Sequence, residues 1–102
     1  MGEFKVAAQK KDFSSGQSRA VSVGGKQIAL FCVGDKFYAI DDECTHAGAS
    51  LAEGEVQGTI VTCPWHGATF DVTSGSVLSE PAGDNVKSYK VAVEGEDIKI
   101  EI

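Results

Sequence analysis

Two short pairs of cysteine and histidine constrain this chain more than any other feature. The first pair is Cys44-Thr-His46, and after a spacer the second is Cys63-Pro-Trp-His66. Together they use both histidines and two of the three cysteines in the chain. Because thiolate and imidazole are metal ligands, two segments that each offer one of each make a four-ligand set. We therefore expect a fold that brings two loops together around a metal.

The segments around these pairs alternate with a period close to two, and glycines interrupt them at short intervals. This pattern is typical of many short strands. Turns at Gly24-Gly25, Gly34-Asp35 and Gly95-Glu96 can supply the positive φ of tight hairpins, and Thr73-Ser-Gly75 suits a longer one. The sequence therefore predicts an all-β protein of antiparallel strands. The predicted strands are Phe4 to Ala8, Arg19 to Val23, Ile28 to Val33, Phe37 to Ile40, Ile60 to Thr62, Thr69 to Val72, Lys87 to Val93 and Asp97 to Ile102.

Two stretches, Asp41 to Gly58 and Ser79 to Val86, match no strand pattern. The first contains Cys44 and His46 among small residues. Loops on a rigid β scaffold are where functional sites usually lie. We therefore expect the metal at the loops rather than within a sheet.

Length and charge limit the classes of protein. A chain of 102 residues suits a single domain, residues 1–102. The longest apolar run, Ile28 to Val33, is far too short to cross a bilayer, and the start has no apolar signal segment, so we expect a soluble cytoplasmic protein.

A net charge of -6 disfavours nucleic acid and anionic membrane as partners and fits a basic protein partner. Asp41, Asp42 and Glu43 are a candidate acidic rim that steers such a partner. Ordinary solubility explains the charge equally well.

Ligand type alone leaves the metal open, because two cysteines and two histidines also suit structural zinc. Zinc modules typically group cysteine with cysteine and histidine with histidine, whereas here each arm mixes the two. A two-iron cluster fits this mixture if both cysteines bind one iron and both histidines the other. Cys32 lies inside an apolar run and is expected to pack in the core.

The motif Cys44-Thr-His46, continued by Cys63-Pro-Trp-His-Gly-Ala-Thr-Phe-Asp71, resembles the signature of the Rieske family. This resemblance implies an antiparallel β sandwich that carries a small two-loop cluster-binding subdomain, about residues 41–68. A covering loop at about 79–86 would shield the cluster with Pro81; the alternative is that this proline merely ends a strand. The resemblance also implies one 2Fe-2S cluster, with cysteines on the inner iron and histidines on the outer one. The implied ligands are Cys44, His46, Cys63 and His66.

The chain departs from the respiratory branch of that family in informative ways. Ala49 and Trp65 stand where that branch has two cysteines joined in a disulfide. Ala68 and Phe70 stand where it has a serine and a tyrosine whose hydroxyls bind sulfur. Because hydrogen bonds to sulfur stabilise the reduced cluster, their loss predicts a low reduction potential. Trp65 itself is expected to shield the cluster or to form part of a docking patch, and ordinary packing explains it equally well.

With these departures, the chain resembles the ferredoxins of bacterial aromatic-ring dioxygenase systems. The resemblance implies a monomeric one-electron carrier between a flavin-dependent NAD(P)H reductase and a terminal Rieske non-haem iron oxygenase. We expect electron transfer rather than catalysis, because the chain shows no nucleophile-base pair and no dinucleotide fingerprint. The alternatives are a Rieske small subunit of a larger enzyme, such as a nitrite reductase, and a structural zinc module.

Overall fold

The computed structural model describes residues 3–14, 16–34, 36–43, 50–64, 67–78 and 85–101. Within these residues the chain forms ten β-strands and two 3-10 turns, with no α-helix, so the all-β prediction is confirmed. No helix in this part of the chain is long and apolar enough to cross a membrane. The strands are β1 Phe4–Gln9, β2 Ser18–Val23, β3 Lys26–Val33, β4 Lys36–Asp41, β5 Glu55–Gln57, β6 Ile60–Thr62, β7 Thr69–Asp71, β8 Ser88–Tyr89, β9 Val91–Glu94 and β10 Asp97–Glu101. The 3-10 turns are Lys10–Asp12 and Leu51–Glu53.

These strands form three antiparallel sheets. The sheets have the strand orders β1-β10-β9, β2-β3-β4-β8 and β5-β6-β7. The four-stranded sheet lies between the other two, because its residues contribute to both hydrophobic cores. The three-stranded sheet β5-β6-β7 continues directly into the Cys63 loop and so carries the candidate site.

Strand β3 supplies both cores. Ala29 and Phe31 pack in the core shared with β6 and β7, while Ile28 and Leu30 pack in the core shared with β10, and all four are fully buried. Successive side chains of a strand point to opposite faces, so the continuous apolar run is explained by burial on both faces. Cys32, in the same strand, is 4% exposed, which confirms the prediction that it packs in the core.

Glycine turns join consecutive strands as predicted. The two-residue connection at Gly24-Gly25 has φ of 59° and 82°, and Gly34 and Gly95 have φ of 63° and 61°. These values favour glycine, and they match the turns that best suit the twist of a hairpin. The register from Val23 to Lys26 follows from the first of these turns.

Two strand predictions were wrong in detail. The stretch 41–58 contains β5, whose three residues are too few to give a period that stands out from a loop. The single strand predicted over residues 87–93 is two strands in different sheets. Tyr89 pairs with Ala39 of β4, whereas Val91 pairs with Ile100 of β10, so the chain changes sheets at Lys90. A local pattern cannot indicate which neighbour each residue will find.

Candidate functional site

Cys63 follows β6 and begins the connection to β7. Its amide donates a hydrogen bond of 2.7 Å to the carbonyl of Ala68, which closes this connection at its base. Gly67 has a φ of 76°, a conformation that favours glycine and lets the chain turn back into β7. The side chain of Cys63 is 3% exposed. The sequence-predicted ligand therefore lies at the base of a tight loop, shielded from water.

The surroundings of Cys63 are apolar. Ala68 and Phe70 are fully buried and belong to the same core cluster as Cys63, together with Val61. Neither Ala68 nor Phe70 carries a hydroxyl, so neither side chain can donate a hydrogen bond to a nearby sulfur. A buried thiol among apolar side chains suits the inner, cysteine-bound iron of a Rieske cluster.

The stretch 44–49, which contains Cys44 and His46, starts and ends at a narrow neck. We define the neck as residues 42–43 and 50–52. Glu43 and Ser50 form an antiparallel bridge, and the amide of Leu51 donates to the carbonyl of Asp42 at 2.7 Å. Leu51 is fully buried in the same core as Cys63. The neck is thus anchored to the scaffold that carries the second loop.

The carboxylate of Asp42 ties the two sides of the neck together. Its Oδ1 accepts hydrogen bonds of 2.9 Å from the Ser50 hydroxyl and from the Ala52 amide. The expectation that Asp42 belongs to an exposed acidic rim is therefore corrected: at 9% exposure the residue is largely buried, and its Oδ1 holds the two sides of the neck together.

Asp41 makes a different set of contacts from its neighbour. Its Oδ1 accepts a hydrogen bond from the Tyr89 hydroxyl, and its backbone amide donates to the Lys87 carbonyl at 2.9 Å. Burial, the hydrogen bond and the charge of Asp41 together raise the pKa of Tyr89 well above its usual value. Of the three acidic residues expected in the rim, Glu43 is the exposed one.

The expected covering loop is likewise held at its base. The amide of Val77 donates to Oδ1 of Asn85 at 2.9 Å, and the amide of Val86 donates to the carbonyl of Gly75 at 2.9 Å. A Cβ at Gly75 would stand 2.1 Å from the carbonyl oxygen of Val86, so only glycine permits this approach. Residues 79–84, including Pro81, lie outside the described residues.

The structure thus places one predicted ligand, Cys63, while Cys44, His46 and His66 lie outside the described residues, as does Trp65. Sequence reasoning missed the part played by Asp42. A usable signal was present, because Asp and Ser often hydrogen-bond to nearby backbone and here they flank a ligand-bearing stretch.

Comparison with known proteins gives a consistent result. Residues 3–90 match a family profile described as the Rieske [2Fe-2S] domain. "Ferredoxin CarAc" of Metapseudomonas resinovorans is 42% identical over 95 residues, which cover 91% of this chain and 88% of the relative. The ferredoxin component of the naphthalene 1,2-dioxygenase system of Pseudomonas aeruginosa is 36% identical over 91 residues, covering 89% and 88%. The first of these relatives is named as a ferredoxin and the second as the ferredoxin component of a dioxygenase system.

Solved structures support the same fold. A chain of the "complex of reduced oxygenase and oxidized ferredoxin in carbazole 1,9a-dioxygenase" superposes with a TM-score of 0.89 at 35% identity, covering 95% of this chain and 91% of that one. A structure described as a nitrite reductase small subunit from Mycobacterium tuberculosis superposes with a TM-score of 0.90, covering 100% and 96%. It is 24% identical, and this likeness therefore shows the fold alone.

Proposed function

The chain belongs to the Rieske [2Fe-2S] domain family, and on that premise we propose that it carries single electrons from a flavin-dependent NAD(P)H reductase to a terminal Rieske non-haem iron oxygenase. The observation that carries the proposal is the match over residues 3–90, which spans both Cys/His pairs. The names of the relatives extend it from the cofactor to the role, because both are ferredoxins and one is named as a dioxygenase component.

We assign four ligands to one cluster: Cys44, His46, Cys63 and His66. When bound, a 2Fe-2S cluster accepts and returns one electron. The buried position of Cys63 supports its assignment to the inner iron, because it keeps water from the sulfur. The histidine pair, assigned to the outer iron, would then form the exit toward a partner.

The protein part of the mechanism is positioning and exclusion of water. The hydrogen bond from Cys63 to Ala68 fixes the second loop, and the neck fixes the two ends of the first. Val61, Ala68 and Phe70 form an apolar wall beside Cys63. Such a wall lowers the local dielectric constant, which disfavours the extra negative charge of a reduced centre.

The partner side of the proposal rests on charge and on the solved complex. A net charge of -6 suits a partner with a basic docking face. The matching chain from the carbazole 1,9a-dioxygenase system was solved together with its oxygenase. We propose a terminal oxygenase of that class as the electron acceptor here. The monomeric state, the single domain and the cytoplasmic location stay predictions from the sequence.

The first test is electron paramagnetic resonance of the dithionite-reduced protein, with iron and acid-labile sulfide counted on the same sample. Two irons, two sulfides and a rhombic spectrum with an average g value below that of all-cysteine clusters are the expected result. The reduced protein should then be reoxidised on rapid mixing with oxidised terminal oxygenase of a carbazole or naphthalene system. A colourless protein that contains zinc would refute the proposal and leave a structural module.

The alternative of an enzyme subunit predicts a different purification. A Rieske small subunit would copurify with a large partner and would not reduce a separate oxygenase. Because the nitrite reductase likeness shows the fold alone, no observation here favours this alternative over the free carrier.

A further inference from the structure

Few backbone hydrogen bonds join the two sides of the neck. Glu43 and Ser50 form one isolated bridge, and Leu51 adds one backbone bond to Asp42. An isolated bridge has no neighbouring strand pairs to fix its register. Because the intervening stretch bears two of the assigned ligands, a further contact that keeps residues 43 and 50 side by side would help to define the site.

The carboxylate of Asp42 supplies that contact. It is buried, and its Oδ1 accepts from the Ser50 hydroxyl and the Ala52 amide, both on the opposite side of the neck. Burying a carboxylate is costly unless hydrogen bonds offset the lost hydration. In the part of the chain that the structure describes, Asp42 is the one buried charged residue. Asp42 lies at the neck and in neither core. The two hydrogen bonds that offset the cost of its burial are therefore the ones that join the two sides of the neck.

We propose that Asp42 is a positioning residue for the metal centre: its carboxylate fixes the width and register of the neck at which the stretch that bears Cys44 and His46 starts and ends. This inference rests on the proposed function, which assigns the ligands. Closing the ends of a loop before metal binding removes conformational freedom that binding would otherwise have to remove. Asp42 thus acts through the backbone and touches no metal.

The neighbouring aspartate serves a different contact. Asp41 accepts from the Tyr89 hydroxyl and so joins β4 to β8, while Asp42 joins the two sides of the neck. Strand β4 ends at Asp41 and the chain bends at Asp42, so the two adjacent carboxylates reach different partners. The positioning role is therefore specific to Asp42.

The test uses the holoprotein and measures iron release to a chelator, together with the electron paramagnetic resonance spectrum. In Asp42→Ala, Ser50 and Ala52 lose their acceptor, and we expect release to accelerate by about 10- to 100-fold with a broadened or shifted spectrum. In Asp42→Asn, the amide oxygen can still accept both hydrogen bonds, and the amide nitrogen can turn toward the concavity that Asp42 lines. This variant should therefore recover most of the wild-type behaviour.

Two further variants complete the design. Ser50→Ala removes one of the two donors and should fall between Asp42→Ala and the wild type. Glu94→Gln removes one charge from an exposed carboxylate in the distant β9–β10 hairpin, where it pairs with Lys99, and should behave as the wild type. If Asp42→Ala does not fold, the comparison of Ser50→Ala with Glu94→Gln decides the question.

The outcomes separate positioning from general stability. Global unfolding is followed by far-ultraviolet circular dichroism on the same samples. Iron release that accelerates only in proportion to global unfolding, or that is unchanged in both Asp42→Ala and Ser50→Ala, would overturn the role of Asp42. A wild-type protein without iron and sulfide would instead overturn the proposed function, and with it this inference. Faster release and an altered spectrum at unchanged unfolding rate would support the positioning role.

Discussion

The hydroxyl of Tyr89 donates a hydrogen bond of 2.5 Å to Oδ1 of Asp41, and so joins β8 to the end of β4, next to the neck of the first loop. A hydrogen bond to a charged acceptor contributes more than a neutral one. The bond therefore holds two segments that are far apart in sequence.

Replacing Tyr89 by Phe should lower the free energy of unfolding by about 1.5 kcal/mol at neutral pH, because the Asp41 carboxylate loses a donor. Urea unfolding followed by circular dichroism measures this loss. Tyr38→Phe, at the other tyrosine of the chain, is the matched control. An equal loss in both variants would show that the bond to Asp41 has no special weight.

The raised pKa of Tyr89 predicts a pH dependence in the alkaline range. Its pKa is higher in the folded than in the unfolded chain, so folding favours the protonated phenol. The free energy of unfolding that the protonated Tyr89 phenol contributes is complete below about pH 10. Above that pH it decreases, by at most about 1.4 kcal/mol for each pH unit. Urea unfolding of wild type and Tyr89→Phe at pH 8 and pH 11 should show the difference between them shrinking. A constant difference would refute this assignment.

Gly75 should tolerate no side chain. Its φ is 79°, and an added Cβ would stand 2.1 Å from the Val86 carbonyl oxygen. Gly16 is a matched control, because its φ is 86° but no atom lies within 4 Å of an added Cβ. We expect Gly16→Ala to cost about 1 to 2 kcal/mol from backbone conformation alone. Gly75→Ala should cost at least about 2 kcal/mol more, because backbone must move. Urea unfolding of the two variants tests this, and equal costs would contradict it.

The two described cysteines should differ sharply in their effect on cofactor content. Cys63→Ala removes an assigned ligand, so the purified variant should lack the visible absorption and the paramagnetic signal of the cluster. Cys32→Ala removes a buried core side chain on β3 and should lower stability while iron content stays at the wild-type level. Iron analysis of both variants is the measurement. Full iron in Cys63→Ala would remove that residue from the ligand set.

The missing hydroxyls beside Cys63 predict a midpoint potential near the low end of the Rieske range, which runs from roughly -150 to +300 mV. Ala68→Ser should raise the midpoint, by about 59 mV for each tenfold gain in the reduction equilibrium. Val72→Thr adds a hydroxyl to the same core and is the control. Protein-film voltammetry measures all three proteins. A wild-type midpoint well above zero would contradict the hypothesis.

Local chemistry allowed part of the fold to be predicted from the sequence. Gly24, Gly34 and Gly95 marked their hairpins because each turn needs a positive φ that few other residues adopt. The assignment of Cys63 as a ligand rests on spacing, which is itself a local property, and it stays a prediction. The sheet change at Lys90 was not predicted, since it depends on Ala39 and Ile100, which are far away in sequence.

The contacts of Asp42 were missed for a similar reason. In the sequence it is the middle of three acidic residues, and such runs are usually solvated. Its partners Ser50 and Ala52 lie beyond the ligand-bearing stretch, and only the closed neck brings them within hydrogen-bonding distance. A side chain that binds across a loop therefore shows its role only when the loop is closed.

The burial of β3 on both faces has a consequence for how the protein unfolds and loses activity. Because Ile28 and Leu30 pack in one core and Ala29 and Phe31 in the other, we expect the two cores to unfold together. Damage to the distant β1-β10-β9 sheet should therefore shorten the working lifetime of the protein without changing the colour of the molecules that remain folded. Loss of activity over time would then reflect a falling number of folded molecules, each with unchanged properties.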